Sequence, residues 1–280
     1  LFPSFEKGIG FVTSSDARVF YGEGLESVIT KEELFRICTH GRVLILIGTH
    51  SLLHNRLPFS ALALVVIDEQ HRFGVRQRAR LLKNKTLGTR GTTLLPHFLS
   101  MSATPIPRTL SLAIFGDLDV SIIDELPRDR KAIVTKIVDP KNREKAYDFI
   151  RQEVEKGRQC FVICPRIEIT ENNESLQQSE VKNVKEEFEK LSKKIFPDLR
   201  VGMLHGKMKA KEKEHFMKVF KKGEIDLLVS TSVIEVGVDV PNASIMVIEG
   251  AELFGLAQLY QFRGRVGRGA HQSFCFLFSF

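Results

Sequence analysis

Two groups of side chains in this 280-residue chain have the types and spacing to do chemistry. The first is Asp68-Glu69, which follows the apolar run 64–67 (LVVI) without a break. Such a run reads as a strand buried on both faces. Carboxylates at its C-terminal end stand where an open parallel sheet opens into a ligand crevice. Burying a carboxylate pair is costly unless a cation or hydrogen bonds compensate. Mg²⁺, which takes one or two carboxylates with phosphate oxygens and water, is the natural partner. The plain alternative is a solvated Asp-Glu turn. The second group lies in 261–268, QFRGRVGR, where Arg263, Arg265 and Arg268 are separated by Gly264 and Gly267. Guanidinium forks match phosphate oxygens and never lose their charge. The glycines free the backbone and let phosphate come close. An arginine set in a second domain, with an acid pair in the first, is what phosphoryl transfer from a nucleotide requires.

The length suits about two domains. The chain is 43% hydrophobic and 27% charged, enough for ordinary globular cores. Its net charge of +7 suits a polyanionic partner. The four cysteines form no CxxC pair and no zinc-ligand spacing, which excludes a zinc module. Cys160 and Cys164, flanking FVI, read as small core residues, and the pattern fits a reducing compartment. No apolar run approaches the roughly 18 residues of a membrane span, so no membrane partner is expected. The first residues lack the pattern of a signal peptide. The chain begins without Met and stops in the apolar FCFLFSF, so both ends are expected to be cuts from a longer protein.

The elements that must position these groups alternate. In residues 1–30, Gly8, Gly10, Gly22 and Gly24 break the periodicity and leave one short strand, 10–13. A helix is expected over 31–39 and strands over 43–47, 64–67 and 98–101, with a loop at 84–94 and a helix at 108–115. Small polar clusters follow two of these strands: Gly48-Thr49-His50 and Ser102-Ala103-Thr104. The run 72–83 is strongly basic and either tracks phosphates or forms a solvated helix face. Residues 117–141 are rich in charge and carry Pro127 and Pro140, which places a domain boundary near 128. Beyond it, strands are expected at 133–138, 160–164, 200–204, 226–230, 243–248 and 273–278. Helices are expected at 143–156 and 209–222. A third helix carries Val181, Val184, Phe188, Leu191 and Ile195 on one stripe, and 166–179 is a polar loop. Alternation in both halves requires crossover connections and mostly parallel sheets.

Taken together, these residues resemble the superfamily 2 helicases. Asp68-Glu69-Gln70-His71 looks like their motif II, Ser102-Ala103-Thr104 like motif III, Ser230-Thr231 through Gly237-Val238-Asp239 like motif V, and Gln261 through Arg268 like motif VI. The words DEQHRFGVRQR, SATPIPRTL, GDLDVSIIDELPRDR, STSVIEVGVDVPNA and AELFGLAQLYQFRGRVGRG are similar to the RecG family. The transcription-repair coupling factors share much of this core, and His71 favours RecG over them. The resemblance implies two tandem RecA-like doubly wound lobes of the α/β class, 1–128 and 129–280. It also implies ATP and Mg²⁺ as cofactors and branched or forked double-stranded DNA as partner. It admits a single-stranded DNA-binding protein as a second partner, in the bacterial cytoplasm at the nucleoid. A non-catalytic nucleic-acid-binding module on the same fold is the reading from another class.

By the same resemblance, Asp68 holds Mg²⁺ largely through water and Glu69 orients and deprotonates the attacking water. Gln70 and His71 link the γ-phosphate to Ser102, Ala103 and Thr104. Arg265 and Arg268 reach the nucleotide from the second lobe, assisted by Gln261, with Gly237 and Asp239 linking the two sites. Thr49, His50, His205, Gly206 and Thr231 contact the DNA backbone. One departure stands out. The Walker A string GxxxxGK[ST], which cradles the phosphates in this family, occurs nowhere in the 280 residues. The chain is therefore expected to be most of a motor without its ATP cradle, and inactive alone.

Overall fold

The structure is a computed structural model. It describes residues 8–13, 16–21, 25–49, 52, 62–69, 86–87, 93–102, 119–125, 130–165, 183–231 and 240–279. The basic run at 72–83, the helix expected at 108–115 and the loop expected at 166–179 lie outside the described residues. The chain divides into two compact units, 1–105 and 106–280. Among the described residues, no helix is long and apolar enough to cross a membrane.

In the first unit, β1 (Gly8–Val12), β2 (Ala17–Phe20) and β3 (Glu26–Val28) form an antiparallel meander. β1 also pairs in parallel with β4 (Val43–Gly48), giving the order β3-β2-β1-β4. Three strands thus occupy a region in which only one was expected. The glycines explain the difference. Gly8, Gly10 and Val12 are the inward positions of β1, so two of its three inward side chains are missing from the apolar pattern. A Cβ on Gly10 would lie 2.9 Å from both Leu34 Cδ1 and Leu46 Cδ1. These glycines make room for neighbours inside a strand. α1 (Lys31–Thr39) starts where the Thr30 hydroxyl accepts the Glu33 N–H at 3.2 Å. It buries Leu34 and Cys38 against Val12, Val19 and Val43.

β5 (Leu64–Ile67) corrects a second expectation. Val65 and Ile67 are buried, but Leu64 and Val66 are 54% and 51% exposed, so the strand is buried on one face only. A four-residue apolar run does not reveal which of its alternate positions find neighbours. Residues 84–94, read as a loop, contain a short antiparallel pair, β6 (Thr86–Leu87) with β7 (Thr93–Leu94). β8 (His97–Ser100) then pairs in parallel with β5, Ile67 opposite Ser100.

The second unit is a single parallel sheet with helices on both faces. Its elements are β9 (Val134–Val138), α2 (Arg143–Glu155), β10 (Gln159–Ile163), α3 (183–190, continued by a π-helical turn at Leu191–Ile195) and β11 (Val201–Leu204). They continue with α4 (Ala210–Lys221), β12 (Leu227–Ser230), β13 (Ala243–Glu249), α5 (Leu256–Arg263) and β14 (Phe274–Phe278). The strand order is β11-β12-β10-β13-β14-β9, with all pairs parallel. α2 and α3 cover one face, where Ile150, Val184 and Leu191 meet Val162, Val247 and Phe276. α4 and α5 cover the other, where Phe220 and Phe262 meet Phe161, Met246 and Cys275. All four cysteines are buried free thiols, and burial pushes the Cys38 thiol up to about 11. The sequence reading holds no helix at α5, which at eight residues is too short for an apolar spacing to repeat.

One polar side chain ties the amino ends of this sheet. Gln159, 2% exposed, donates through Nε2 to Phe220 O at 2.6 Å and Ile225 O at 2.7 Å. Gln159→Leu keeps the volume but takes the donor from Ile225 O, while Phe220 O keeps the Gly223 N–H at 2.9 Å. It is expected to destabilise the unit by about 1–3 kcal/mol in urea unfolding. A loss under about 0.5 kcal/mol would show that water replaces both bonds.

Candidate functional site

In the first unit the candidate residues gather at the carboxyl ends of β5 and β8. Met101 N donates to Ile67 O at 2.8 Å, so Asp68-Glu69 and Ser102 leave adjacent strands side by side. Asp68 is exposed, and its Oδ1 accepts the Glu69 N–H at 2.9 Å. Glu69 has φ +50, the sole left-handed non-glycine backbone among the described residues. That conformation costs about 1–2 kcal/mol for an L-residue. It turns the chain at the strand end. Nothing in the residue order foretells it. Thr49 sits at the exit of β4, its N–H donating to Val12 O at 3.2 Å and its carbonyl accepting Leu52 N–H at 3.0 Å. Gln70, His71, His50, Ala103 and Thr104 lie outside the described residues.

In the second unit the candidates divide between the two edges of the sheet. Gln261 is in the last turn of α5, 8% exposed, and Arg265 and Arg268 follow in the loop behind it, both half-buried. Arg268 Nε donates to Gly264 O at 3.4 Å, and Arg263 lies over the Tyr260 ring at 4.7 Å. The loop packs on residues that lead into β9 and β13, so it lies at the amino edge. A Cβ on Gly267 would lie 2.9 Å from Ile133 Cγ1, and this glycine has φ +76. A Cβ on Gly269 would lie 2.6 Å from the Pro241 carbonyl oxygen. The expectation that Gly264 and Gly267 serve phosphate approach gains a different physical account at Gly267. Its left-handed backbone and its contact with Ile133 already demand glycine.

His205, Gly206 and Thr231 lie at the opposite, carboxyl edge, at the exits of adjacent strands β11 and β12. Thr231 is 1% exposed. Its Oγ1 and His205 Nδ1 are buried, and neither has a hydrogen-bond partner among the described residues. Burial first, then Lys185, Lys213 and Lys207, hold the His205 imidazole below its usual range, against a smaller opposing pull from Glu212. Lys213 Nζ also donates to Gly206 O at 2.7 Å. Two unsatisfied polar atoms beside three lysines make a receptor for an anion with acceptor oxygens. The three lysines were not singled out in the sequence, because they come from three separate segments. Gly237 and Asp239 lie outside the described residues.

Two family models match these units: DEAD/DEAH box helicase over residues 11–113 and helicase conserved C-terminal domain over residues 141–270. Fold and matches define the class, a helicase core of two RecA-like units. The relatives narrow it. The ATP-dependent DNA helicase RecG of Synechocystis is 49% identical over 254 residues, 91% of this chain and 29% of that protein. That of Thermotoga maritima is 47% identical over 88% of this chain and 30% of its own length, and that of Bacillus subtilis 45% over 88% and 34%. A solved structure of RecG bound to a three-way DNA junction covers 99% of this chain and 32% of its own, with a TM-score of 0.65 and 38% identity. The helicase MrfA bound to DNA shares the fold, with a TM-score of 0.62 at 16% identity. The chain is similar to the RecG helicases over about nine-tenths of its own length. It spans about a third of the length of the curated relatives it matches.

The glycines of the arginine loop provide a graded test. Gly267→Ala is expected to cost about 1–2 kcal/mol for its left-handed backbone. Gly269→Ala should cost at least as much, because a backbone carbonyl cannot swing away as a side chain can. Gly264→Ala, whose Cβ would sit 3.4 Å from Tyr260 O, should be within about 0.5 kcal/mol of neutral. Thermal melting of the chain reads all three. Equal effects would remove packing as the reason for the glycines.

Proposed function

We propose that this chain is the motor core of an ATP-dependent double-stranded DNA translocase that remodels stalled forks and branched, Holliday-type DNA. The observation that carries the DNA half of this reading is the carboxyl edge of the second unit. There His205 Nδ1 and Thr231 Oγ1 are buried, with no partner among the described residues, beside Lys185, Lys207 and Lys213. Such a set takes phosphate and sugar oxygens without reading bases, so binding is indifferent to sequence. Gly206 belongs to this set, and in the first unit Thr49 and His50 are proposed to contact the DNA backbone in their own right. The junction-bound RecG relative supports branched DNA as the substrate. On this reading the protein works at the bacterial nucleoid, where a single-stranded DNA-binding protein on exposed fork arms is a further partner.

For the ATP half, Asp68 and Glu69 fit Mg²⁺: two hard carboxylates at a strand end, Asp68 open to solvent. When bound, the ion neutralises phosphate charge. Asp68 then holds the ion largely through water, and Glu69 positions and deprotonates the attacking water. Gln70, His71, Ser102, Ala103 and Thr104 carry the state of the γ-phosphate away from the acids. Arg265 and Arg268 stabilise the charge that develops on the transferred phosphoryl, with Gln261 supporting them from α5. Gly237 and Asp239 join nucleotide to DNA. The domain boundary is proposed at 128/129, in the gap between the two family matches. The phosphate cradle is proposed to come from chain outside residues 1–280, because no GxxxxGK[ST] string lies within them.

Three measurements test the proposal. In the protein that carries this chain, Glu69→Gln is expected to abolish DNA-stimulated ATP turnover with folding intact. Arg268→Ala should lower the rate by at least ~10²-fold. Normal turnover in either variant removes that residue from its role, and robust turnover by residues 1–280 alone removes the missing cradle. The third is a pH series. A bound phosphate opposes the three lysines and raises the His205 pKa, so binding takes up a proton. Affinity for a short duplex should therefore rise as pH falls from about 8 to about 6. His205→Asn should flatten that slope, and an unchanged slope would take His205 out of the interface.

A further inference from the structure

The carboxyl edge of the second unit carries a second cluster, which no motif described above includes. Arg143, the first residue of α2, forms an ion pair with Glu249 at the end of β13, Nη1 to Oε2 at 3.1 Å. Both side chains are largely buried, 20% and 10% exposed. The same guanidinium donates through Nη2 to the Ser279 carbonyl at 2.9 Å and lies 5.0 Å over the Phe278 ring. One side chain thus joins the exit of β13 to the exit of β14. Everything between those two points is the excursion that carries α5 and the arginine loop.

The path out of Glu249 is stiff. Gly250 takes the left-handed backbone at φ 57, ψ 48, which swings the chain from the α2 face of the sheet to the α5 face. A 3₁₀ turn follows (Ala251–Leu253), closed by Leu253 N–H to Gly250 O at 2.9 Å and Phe254 N–H to Ala251 O at 3.2 Å. Phe254 packs edge-on against Phe262 at 5.3 Å, pinning the turn to the helix. α5 then runs from the carboxyl edge to the amino edge, where Gly264 ends it and Arg265 and Arg268 begin the loop on Ile133 and Pro241. A rigid rod therefore has its fixed end at Glu249 and its working end at the arginines.

Stability alone does not account for this pair. A buried ion pair gains little over an apolar pair of the same size. This one is also unsaturated. Glu249 Oε1 and the Tyr147 hydroxyl, one helical turn beyond Arg143, are both buried in the cluster without a hydrogen-bond partner among the described residues. Glu187 and Lys190 of α3, themselves paired at 3.0 Å, face the same spot. What the pair does supply is a single direction for the chain leaving β13, because an ion pair with two defined donors fixes orientation where apolar contact does not.

We propose that Arg143 and Glu249 are positioning residues for the arginine loop: they anchor the carboxyl-edge end of α5 and so set where Arg265 and Arg268 stand. The consequence for ATP turnover rests on the motor reading above. The anchoring itself does not, and it is measurable without nucleotide.

Native-state hydrogen exchange on the full chain provides that measurement. Glu249→Gln, which keeps the volume, and Arg143→Lys, which keeps the charge but loses the fork, should each speed exchange in 250–269 by about tenfold or more. Exchange in β10 and β12 should stay as in the wild type. Tyr147→Phe should leave 250–269 unchanged. Uniform acceleration across the sheet would make the pair a plain stability element, and no acceleration would remove the anchor; either overturns the proposal. If Arg143→Lys does not fold, Glu249→Gln decides alone. In the protein that carries this chain, the same variants should lower kcat by about tenfold to 10²-fold, with KM for ATP within about twofold. A wild-type protein without DNA-stimulated turnover would sink the motor reading and leave the exchange result standing.

Discussion

A parallel sheet sends every strand out at the same edge, and that constraint governs the second unit. β9 to β14 deliver Asp139, Cys164, His205, Thr231, Gly250 and Ser279 to one rim. Each crossover must then return to the opposite rim before the next strand can start. Two proposed tasks are thereby kept apart without any special device. The residues proposed to meet a DNA backbone occupy the rim of exits. The arginines, reached only after a helix has run the length of the sheet, occupy the rim of entries. α5 spans the distance between the two rims, about 12 Å at 1.5 Å per residue.

The two rims are built on different physics. The arginine loop is held by packing: a left-handed glycine, a glycine under a backbone carbonyl, and Val266 at 2% exposure. The rim of exits is polar and incompletely paired. Thr231 Oγ1, His205 Nδ1, Glu249 Oε1 and the Tyr147 hydroxyl are buried there with no partner among the described residues. Each such atom forgoes about 1–3 kcal/mol. A fold that tolerates several along one edge is spending stability where ligand or movement recovers it. The amino edge has one such atom, Ser244 Oγ near the start of β13, again with no partner among the described residues; there Gln159 bonds both carbonyls it faces, at 2.6 and 2.7 Å.

What was legible in the sequence follows the same division. The six strands of the second unit were readable because each is mostly apolar and lies between polar turns, and the structure moves their bounds by only a residue or so. Asp68-Glu69, Ser102 and the QFRGRVGR segment were readable because their chemistry is unusual for their place. Three things were not readable. The meander β1–β3 was hidden because the inward positions of β1 are glycines, which carry no pattern. α5 was hidden because, at eight residues, its apolar spacing does not repeat. Arg143 and Glu249 were hidden because, apart in the sequence, each is an ordinary charged residue at the end of an element. Their meaning lies wholly in the ion pair.

That last case shows why a motif marks a site better than it marks the support of a site. Motif residues cluster in sequence because a strand exit or a loop brings them to the ligand together. Supporting residues need only meet in space, and a parallel sheet brings distant exits together at one rim. Arg143 begins the helix after β9, Glu249 ends β13 and Ser279 follows β14; the strand order β13-β14-β9 makes these three neighbours. The same topology that separates arginines from the rim of exits therefore supplies, at that rim, the place where a single guanidinium holds both ends of the excursion that carries them. Moving the anchor to any other strand exit would leave either β13 or β14 untied.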